Sequence, residues 1–278
     1  MLNIDQQACA IMSRWSTTKR CCATDVDPFE QLVVIGAGLG AGVVASSIGV
    51  ASLISFPILI AVGLPPVVAN ASNTVGLIPA GLSGSFGYRR ELAEHPAVTR
   101  AVLATSAIGA IGGAILLLRL PPSVFEALVP WLILFACLLV GLQPLISRWV
   151  RSRSSHDPQA DRTRFSRGLT AMATVVGVYG GYFGAGQGVM MIAVLSLGLD
   201  IDLRVVNALK TTGIMASNIV AGAIFVAIAD LDWLAIGLLG IGAVVGGYVG
   251  SHVGRRLPPT VFRVLVVIAG VTAAVVML

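Results

Sequence analysis

Long blocks of apolar residues alternate with short polar segments along most of the chain. Most blocks are about 20 residues long, the length that an α-helix needs to cross a bilayer. Leu32–Leu64 and Leu169–Leu199 exceed one crossing and are rich in glycine, which predicts tilted or broken helices. The pattern predicts an all-α, polytopic transmembrane helical bundle of about eight spans. The shorter blocks are Val67–Tyr88, Ala97–Leu118, Val124–Ile146, Val205–Ala229, Trp233–Val253 and Val261–Leu278.

The composition agrees with a bilayer environment. Hydrophobic residues make up 56% of the chain, charged residues 11%, and the mean hydropathy is +0.91. A soluble domain has roughly 25% charged residues, so this composition excludes a water-soluble fold. The net charge is +5, but the basic residues lie between apolar blocks, where they set the orientation in the membrane. We therefore expect the lipid bilayer as a partner and no nucleic acid, and a homo-oligomer is left open.

Short segments recur in the same order in the two halves of the chain. Because chance seldom repeats several matches in one order, they indicate an internal duplication, which is common in secondary transporters. The predicted organisation is an N-terminal soluble tail at 1–31, a first membrane repeat at 32–147, an Arg-rich cytoplasmic loop at 148–167 and a second membrane repeat at 168–278. The matching pairs are Leu39–Gly42 with Phe183–Gly186, Val68–Thr74 with Val205–Thr211, and Leu120–Phe125 with Leu257–Phe262.

Basic residues concentrate in the tail and in the loop at 148–167. With about eight crossings, the positive-inside rule places that loop and both termini in the cytoplasm. If the two long blocks each crossed twice, the count would be about ten, the halves would be inverted and the termini would face outward. Eight is preferred because pieces of about 15 residues are too short to cross alone. The tail also contains Cys9, Cys21 and Cys22, whose spacing predicts neither a zinc site nor a redox pair.

The segment Val33–Ala41 imitates a dinucleotide-binding fingerprint. No acidic residue occurs between Glu30 and Glu91 to hold a ribose, so no NAD, FAD or other cofactor is predicted. The glycines of both long blocks have two possible roles. They either pack helices closely together or open a helix so that backbone N–H groups face an anion. The glycines predicted to contact substrate are Gly40, Gly42, Gly184 and Gly186.

Few polar side chains lie inside the apolar blocks, and most of them occupy matching positions in the two repeats. A lysine in the middle of a bilayer costs roughly 2.5–3.5 kcal/mol on insertion scales, so Lys210 indicates a function unless it snorkels to the interface. The asparagines could instead cap helices or join them by hydrogen bonds. Interpreted as one substrate site near the midplane, the side chains are Asn70, Asn73, Thr74, Gln187, Asn207, Lys210 and Thr211.

Acidic side chains are missing from the apolar blocks, apart from Glu126 near a block end. Proton relays and metal-cation sites in membranes usually need buried carboxylates, so no metal site is predicted. Amides, hydroxyls, a lysine and exposed backbone N–H groups are donors, and donors suit a small anionic substrate. The sequence shows no arrangement of a nucleophile with a histidine and an acid, so we do not expect an enzyme.

Five segments carry a family resemblance: Gly36–Gly49, Ala69–Thr74, Tyr88–Leu92, Gly180–Gly188 and Asn207–Thr211. They resemble the sulfite exporter TauE/SafE family, also called the toluene-sulfonate uptake permease family, and the resemblance extends over about residues 32–278. The resemblance implies a multi-pass transporter of the bacterial inner membrane, with about eight spans from a duplicated four-span unit. It also implies sulfite, an organosulfonate or a related sulfur-containing anion as substrate. The predicted function is a secondary transporter of such an anion, with an anion channel or a membrane-embedded enzyme as the alternative.

Overall fold

The computed structural model of the chain describes residues 28–47, 49–153, 165–253 and 259–277. Within these ranges the chain forms α-helices joined by short turns, and they contain no β-strand, so the all-α prediction is confirmed. Most of the predicted tail, with Cys9, Cys21 and Cys22, lies outside the described residues, as does the centre of the predicted Arg-rich loop.

The helices follow one another with short connections, and several begin at a proline. Proline is well suited to the first turn of a helix because its missing N–H would have no acceptor there. In the first half the helices are α1 (Pro28–Ser47), α2 (Ser52–Ala61), α3 (Pro66–Gly76), α4 (Ile78–Gly87), α5 (Arg89–Glu94), α6 (Pro96–Arg119) and α7 (Pro122–Arg153). In the second half they are α8 (Arg167–Tyr182), α9 (Gln187–Gly198), α10 (Leu203–Ile228), α11 (Trp233–Val253) and α12 (Pro259–Met277).

Many large apolar side chains are exposed on the surface of the described part of the chain. Trp131 and Ile241 are each 62% exposed and Val276 is 82% exposed, a pattern that suits contact with lipid. In the described part of the chain, 4 helical segments are long and apolar enough to cross a membrane: Pro28–Ala45, Pro96–Arg119, Pro122–Leu145 and Leu203–Ile228. Shorter apolar helices are Ser52–Ala61, Gln187–Gly198, Trp233–Gly247 and Arg263–Met277. The chain is therefore a membrane protein, and the number of crossings stays a prediction.

Both long apolar blocks are interrupted by a turn that contains glycine. Between α1 and α2, Gly49 has a φ of 81°. Between α8 and α9, Gly184 has a φ of 78° and Gly186 a φ of 81°. A residue with a side chain is strained at such a positive φ, whereas glycine adopts it freely. The glycines therefore allow each block to divide into a longer and a shorter helix.

The first interruption lies beyond the glycine cluster that contains Gly40 and Gly42. Gly40 and Gly42 are within the continuous helix α1, so this glycine cluster does not open the helix, which was one of the two roles that the sequence left open. The cluster packs helices instead, because a Cβ at Gly42 would lie 2.6 Å from the backbone nitrogen of Gly247 in α11. Close contact with α11 offsets the low helix propensity of glycine, and the helix continues.

Three helices of the first half each have a counterpart in the second half that starts a constant number of residues later. The starts of α3, α6 and α7 lie the same number of residues before the starts of α10, α11 and α12, respectively. This separation pairs Gly49 with Gly186, which share a φ of 81°. The predicted match of Leu39–Gly42 with Phe183–Gly186 is therefore out of register by about two helical turns.

The two halves of the chain are intertwined. Helix α1 packs along α11, and α8 packs along α6, with glycines at both contacts. A Cβ at Gly177 of α8 would lie 3.0 Å from Ser106 Cα of α6, so only a small residue fits there. Helices α3 and α4 also pack against α10. Val50 and Ala185 are 2% and 1% exposed, which shows that both interruptions lie in the interior.

Candidate functional site

The two helix interruptions lie against each other inside the protein. A Cβ at Gly188, near the start of α9, would lie 3.0 Å from the Gly49 carbonyl oxygen and 3.2 Å from Lys210 Cδ. We call residues 49–51 and 183–188 together the break junction. Because α2 and α9 both begin at it, the break junction brings two helix N-termini close to a lysine of α10.

Lys210 is buried beside the break junction. Its side chain is 6% exposed, and its Nζ would lie 2.9 Å from a Cβ at Gly49. The ammonium donates one long hydrogen bond, of 3.4 Å, to Asn207 Oδ1. No ion pair of Lys210 occurs in the described residues, where Arg204 with Asp202 is the pair found, at 3.8 Å. The lysine therefore faces the interior without a compensating charge from the described residues, and it does not extend along the surface.

The backbone supplies further donors at the break junction. The N–H groups of Val50, Ala51 and Gly188 have no acceptor within the described ranges. These groups lie in the first turn of a helix or just before it, where N–H groups are unpaired and the helix dipole favours negative charge. The free N–H groups and the ammonium are all donors, so the chemistry of the junction suits an anion.

Asn207 and Thr211 accompany Lys210 on α10. Asn207 Nδ2 donates to the Leu203 carbonyl at 3.0 Å, and Thr211 Oγ1 donates to the Asn207 carbonyl at 2.9 Å. Both residues are half-buried, and a Cβ at Gly84 of α4 would lie 3.2 Å from Thr211 Cγ2. The polar groups predicted in the second repeat therefore lie together, with part of their surface accessible.

The matching polar groups of the first repeat are buried and have other partners. Asn70 Nδ2 donates to the carbonyl oxygen of Tyr182, at the end of α8, over 3.0 Å. Asn73 accepts a hydrogen bond from Ser55 of α2. Thr74 Oγ1 donates to the Asn70 carbonyl at 2.9 Å. Asn70 thus reaches the second interruption, whereas Asn73 and Thr74 contact groups of their own half.

Gln187 begins α9 and is fully buried. Its Nε2 donates to Ser217 Oγ of α10 at 2.9 Å. A Cβ at Gly180 would overlap the Gln187 amide, so the glycine leaves the space that this side chain occupies. Gln187 therefore joins α8, α9 and α10 at the break junction.

The four predicted glycines divide into two pairs. Gly184 and Gly186 lie in the break junction, as a substrate-contacting role requires. Gly40 and Gly42 do not, because the N–H groups in the middle of α1 are engaged in the helix and cannot donate to a ligand. Sequence reasoning missed Gly49. The signal that could have found it is its separation from Gly186, which equals the separation of Val68–Thr74 from Val205–Thr211 and of Leu120–Phe125 from Leu257–Phe262.

Residues 34–277 match the family described as sulfite exporter TauE/SafE. The chain belongs to this family. Relatives of this TauE/SafE chain include "Probable membrane transporter protein ORF9" of Sinorhizobium sp., 27% identical over 239 residues, which are 84% of this chain and 87% of the relative. Another is "Probable membrane transporter protein" of Haemophilus influenzae, 25% identical over 232 residues, 82% of this chain and 88% of the relative. No solved structure was found to match this TauE/SafE chain.

Proposed function

We propose that this TauE/SafE protein is a secondary transporter of a small anion, with sulfite or an organosulfonate as substrate. The observation that carries the proposal is the Lys210 ammonium, which is buried and has no carboxylate partner among the described residues. A buried charge is costly unless a partner compensates it. An anion held at the break junction is such a partner.

The donors around the break junction suit an oxyanion. Lys210 Nζ would give a charge-assisted hydrogen bond, and the N–H groups of Val50, Ala51 and Gly188 would donate from the two helix starts. Sulfite and sulfonate groups carry three oxygens on one sulfur, so donors from several directions can be used at once. A planar carboxylate presents only two oxygens and would accept hydrogen bonds from fewer of these donors.

The proposed transport unit consists of two duplicated halves with about eight crossings, and both termini lie in the cytoplasm of a bacterial inner membrane. Two observations support a duplication. The helix starts of the two halves have equal separations, and α1 of the first half packs on α11 of the second half while α8 of the second half packs on α6 of the first. The matching clusters differ in exposure: Asn70 is buried, whereas Asn207 and Thr211 are half-buried. A carrier that opens to one side at a time would give this difference.

A binding screen tests the proposal directly. Purified protein would be titrated by calorimetry with sulfite, thiosulfate, sulfoacetate, taurine and simple carboxylates at fixed ionic strength. We expect saturable binding of at least one sulfur oxyanion, with the zwitterion taurine bound more weakly than the anion sulfoacetate. If none of the anions binds, or if taurine and sulfoacetate bind equally well, the charge of Lys210 does not select the ligand and the proposal fails.

A further inference from the structure

Two amide oxygens beside the end of α8 lack a hydrogen-bond donor. Asn70 and Gln187 are 1% and 0% exposed, and neither Asn70 Oδ1 nor Gln187 Oε1 has a donor within the described residues. Folded proteins leave few buried polar atoms unpaired, and each such atom calls for a water, an ion or another ligand. The two oxygens therefore point to a binding site that the anion does not explain.

Hydrogen bonds fix the orientation of both amides. Asn70 faces the carbonyl oxygen of Tyr182 at 3.0 Å, and because a carbonyl can only accept, the amide must present its NH₂ group there. Ser217 Oγ donates to the Ser106 carbonyl at 3.4 Å, so it accepts from Gln187 Nε2 at 2.9 Å. In both side chains the oxygen is thus the atom left without a partner.

Both amides lie against the last turn of α8. Asn70 contacts Tyr182, the last residue of the helix, and the Gln187 amide fills the space beside Gly180. The Gly180 carbonyl has no donor within the described ranges. The last carbonyls of a helix also carry the negative end of its dipole. The end of α8 therefore presents oxygen acceptors, in contrast to the donors at the starts of α2 and α9.

We propose that the end of α8 binds a monovalent alkali cation, Na⁺, through Asn70 Oδ1, Gln187 Oε1 and the Gly180 carbonyl oxygen. Neutral oxygens of amides and of unwound helix ends are ligands for such ions in transporters. A group of three His, Cys, Asp or Glu residues able to hold a metal does not occur in the described part of the chain, which excludes the usual transition-metal ligand sets there. The lack of such acidic groups in the described residues argues against a divalent cation, which carboxylates usually hold, but not against an alkali cation held by carbonyl oxygens.

The site would couple the cation to the anion, and this coupling rests on the proposed function. Gln187 is followed by Gly188 of the break junction, so a cation and an anion would bind close together and attract each other. By linkage, each ligand must then raise the affinity of the other by the same factor. Lys210 places a fixed positive charge beside the first interruption. Asn73 is at the matching helix position in the other half, and a mobile cation would supply the charge at the second interruption.

Thermal unfolding of the purified full-length protein without any substrate anion tests the cation site by itself. The melting temperature would be followed in chloride salts of Na⁺, Li⁺, K⁺ and N-methyl-D-glucamine at one ionic strength. We expect a saturable increase with Na⁺ that N-methyl-D-glucamine does not give. Gln187→Met should abolish the increase. Gln143→Met on α7 is the matched control, because Gln143 Oε1 is also without a donor, and it should retain the increase.

Gln187→Glu tests the site independently if Gln187→Met does not fold. It keeps an oxygen at the site and adds a negative charge, so it should lower the half-saturating Na⁺ concentration, which a purely structural glutamine would not explain. Equal melting temperatures in all four salts would overturn the cation site, and so would a Na⁺ effect that persists in Gln187→Met. Because this measurement uses no substrate anion and chloride is common to all four salts, its failure would leave the proposed anion site standing. If Na⁺ raises the melting temperature but anion binding does not depend on Na⁺, the cation site stands and only the coupling is wrong.

Discussion

Lys210→Met removes the charge at the break junction while keeping the length and apolar bulk of the side chain. The protein should lose little stability, because the ammonium makes one long hydrogen bond of 3.4 Å to Asn207 and has no carboxylate partner among the described residues. Removing a buried, uncompensated charge also removes a desolvation cost. We therefore expect an unchanged or higher melting temperature.

Anion binding should be affected much more than stability. A hydrogen bond to a charged group contributes roughly 1.5–3 kcal/mol, so the methionine variant should bind the anion roughly ten- to a hundredfold more weakly. Lys210→Arg should not restore affinity fully, because the space beside Gly49 is tight and a planar guanidinium is larger than an ammonium.

Calorimetric titration of the best-binding sulfur oxyanion against both variants measures this change. Arg204→Met is the matched control, because Arg204 is on the same helix but its side chain is 73% exposed, so it should change the affinity little. If Lys210→Met binds the anion as tightly as the unmodified protein does, the reasoning about the buried charge is refuted. An equal loss in the Arg204 and Lys210 variants would mean that overall charge, and not the junction, determines affinity.

Further outcomes follow from the glycines and from the topology. Gly49→Ala places a side chain at positive φ and against the buried lysine, so it should cost about 1–2 kcal/mol of stability and weaken anion binding. Gly40→Ala is its control, because the nearest atom to the new Cβ would be 3.6 Å away. It should change the melting temperature and the anion affinity little. Gly246→Ala would overlap a carbonyl of α1 and should cost about 1–3 kcal/mol, whereas Gly247→Ala, with open space around it, should not lower the melting temperature comparably. Reporter fusions in the loop at 148–167 and at the C-terminus should both report cytoplasm; a periplasmic C-terminus would favour about ten crossings.

Local sequence signals were sufficient for the helical class and for part of the site. Apolar blocks of membrane length predict helices wherever they occur, since every backbone group must be paired within lipid. The proximity of Asn207 and Lys210 was also predictable, because residues three apart on a helix are neighbours. Both predictions depend only on residues close together in the chain.

The location of the first interruption could not be predicted in this way. Gly42 and Gly49 are equally able to break a helix, but Gly42 packs against α11, which lies far along the sequence. That contact keeps α1 continuous and moves the interruption to Gly49. The meeting of Gly49 with Gly188 likewise depends on how the two halves intertwine, which no local pattern encodes.

Exchange in proteoliposomes tests the central claim, a carrier for a small sulfur-containing anion. Purified protein would be reconstituted, the vesicles loaded with unlabelled sulfoacetate or sulfite, and uptake of the same labelled anion followed with and without the internal load. The account predicts uptake that saturates with concentration and is stimulated by the internal anion, with little stimulation in Lys210→Met. Uptake that rises linearly and ignores the internal load would indicate a channel, and chemical conversion of the anion would indicate an enzyme; either result would contradict the account.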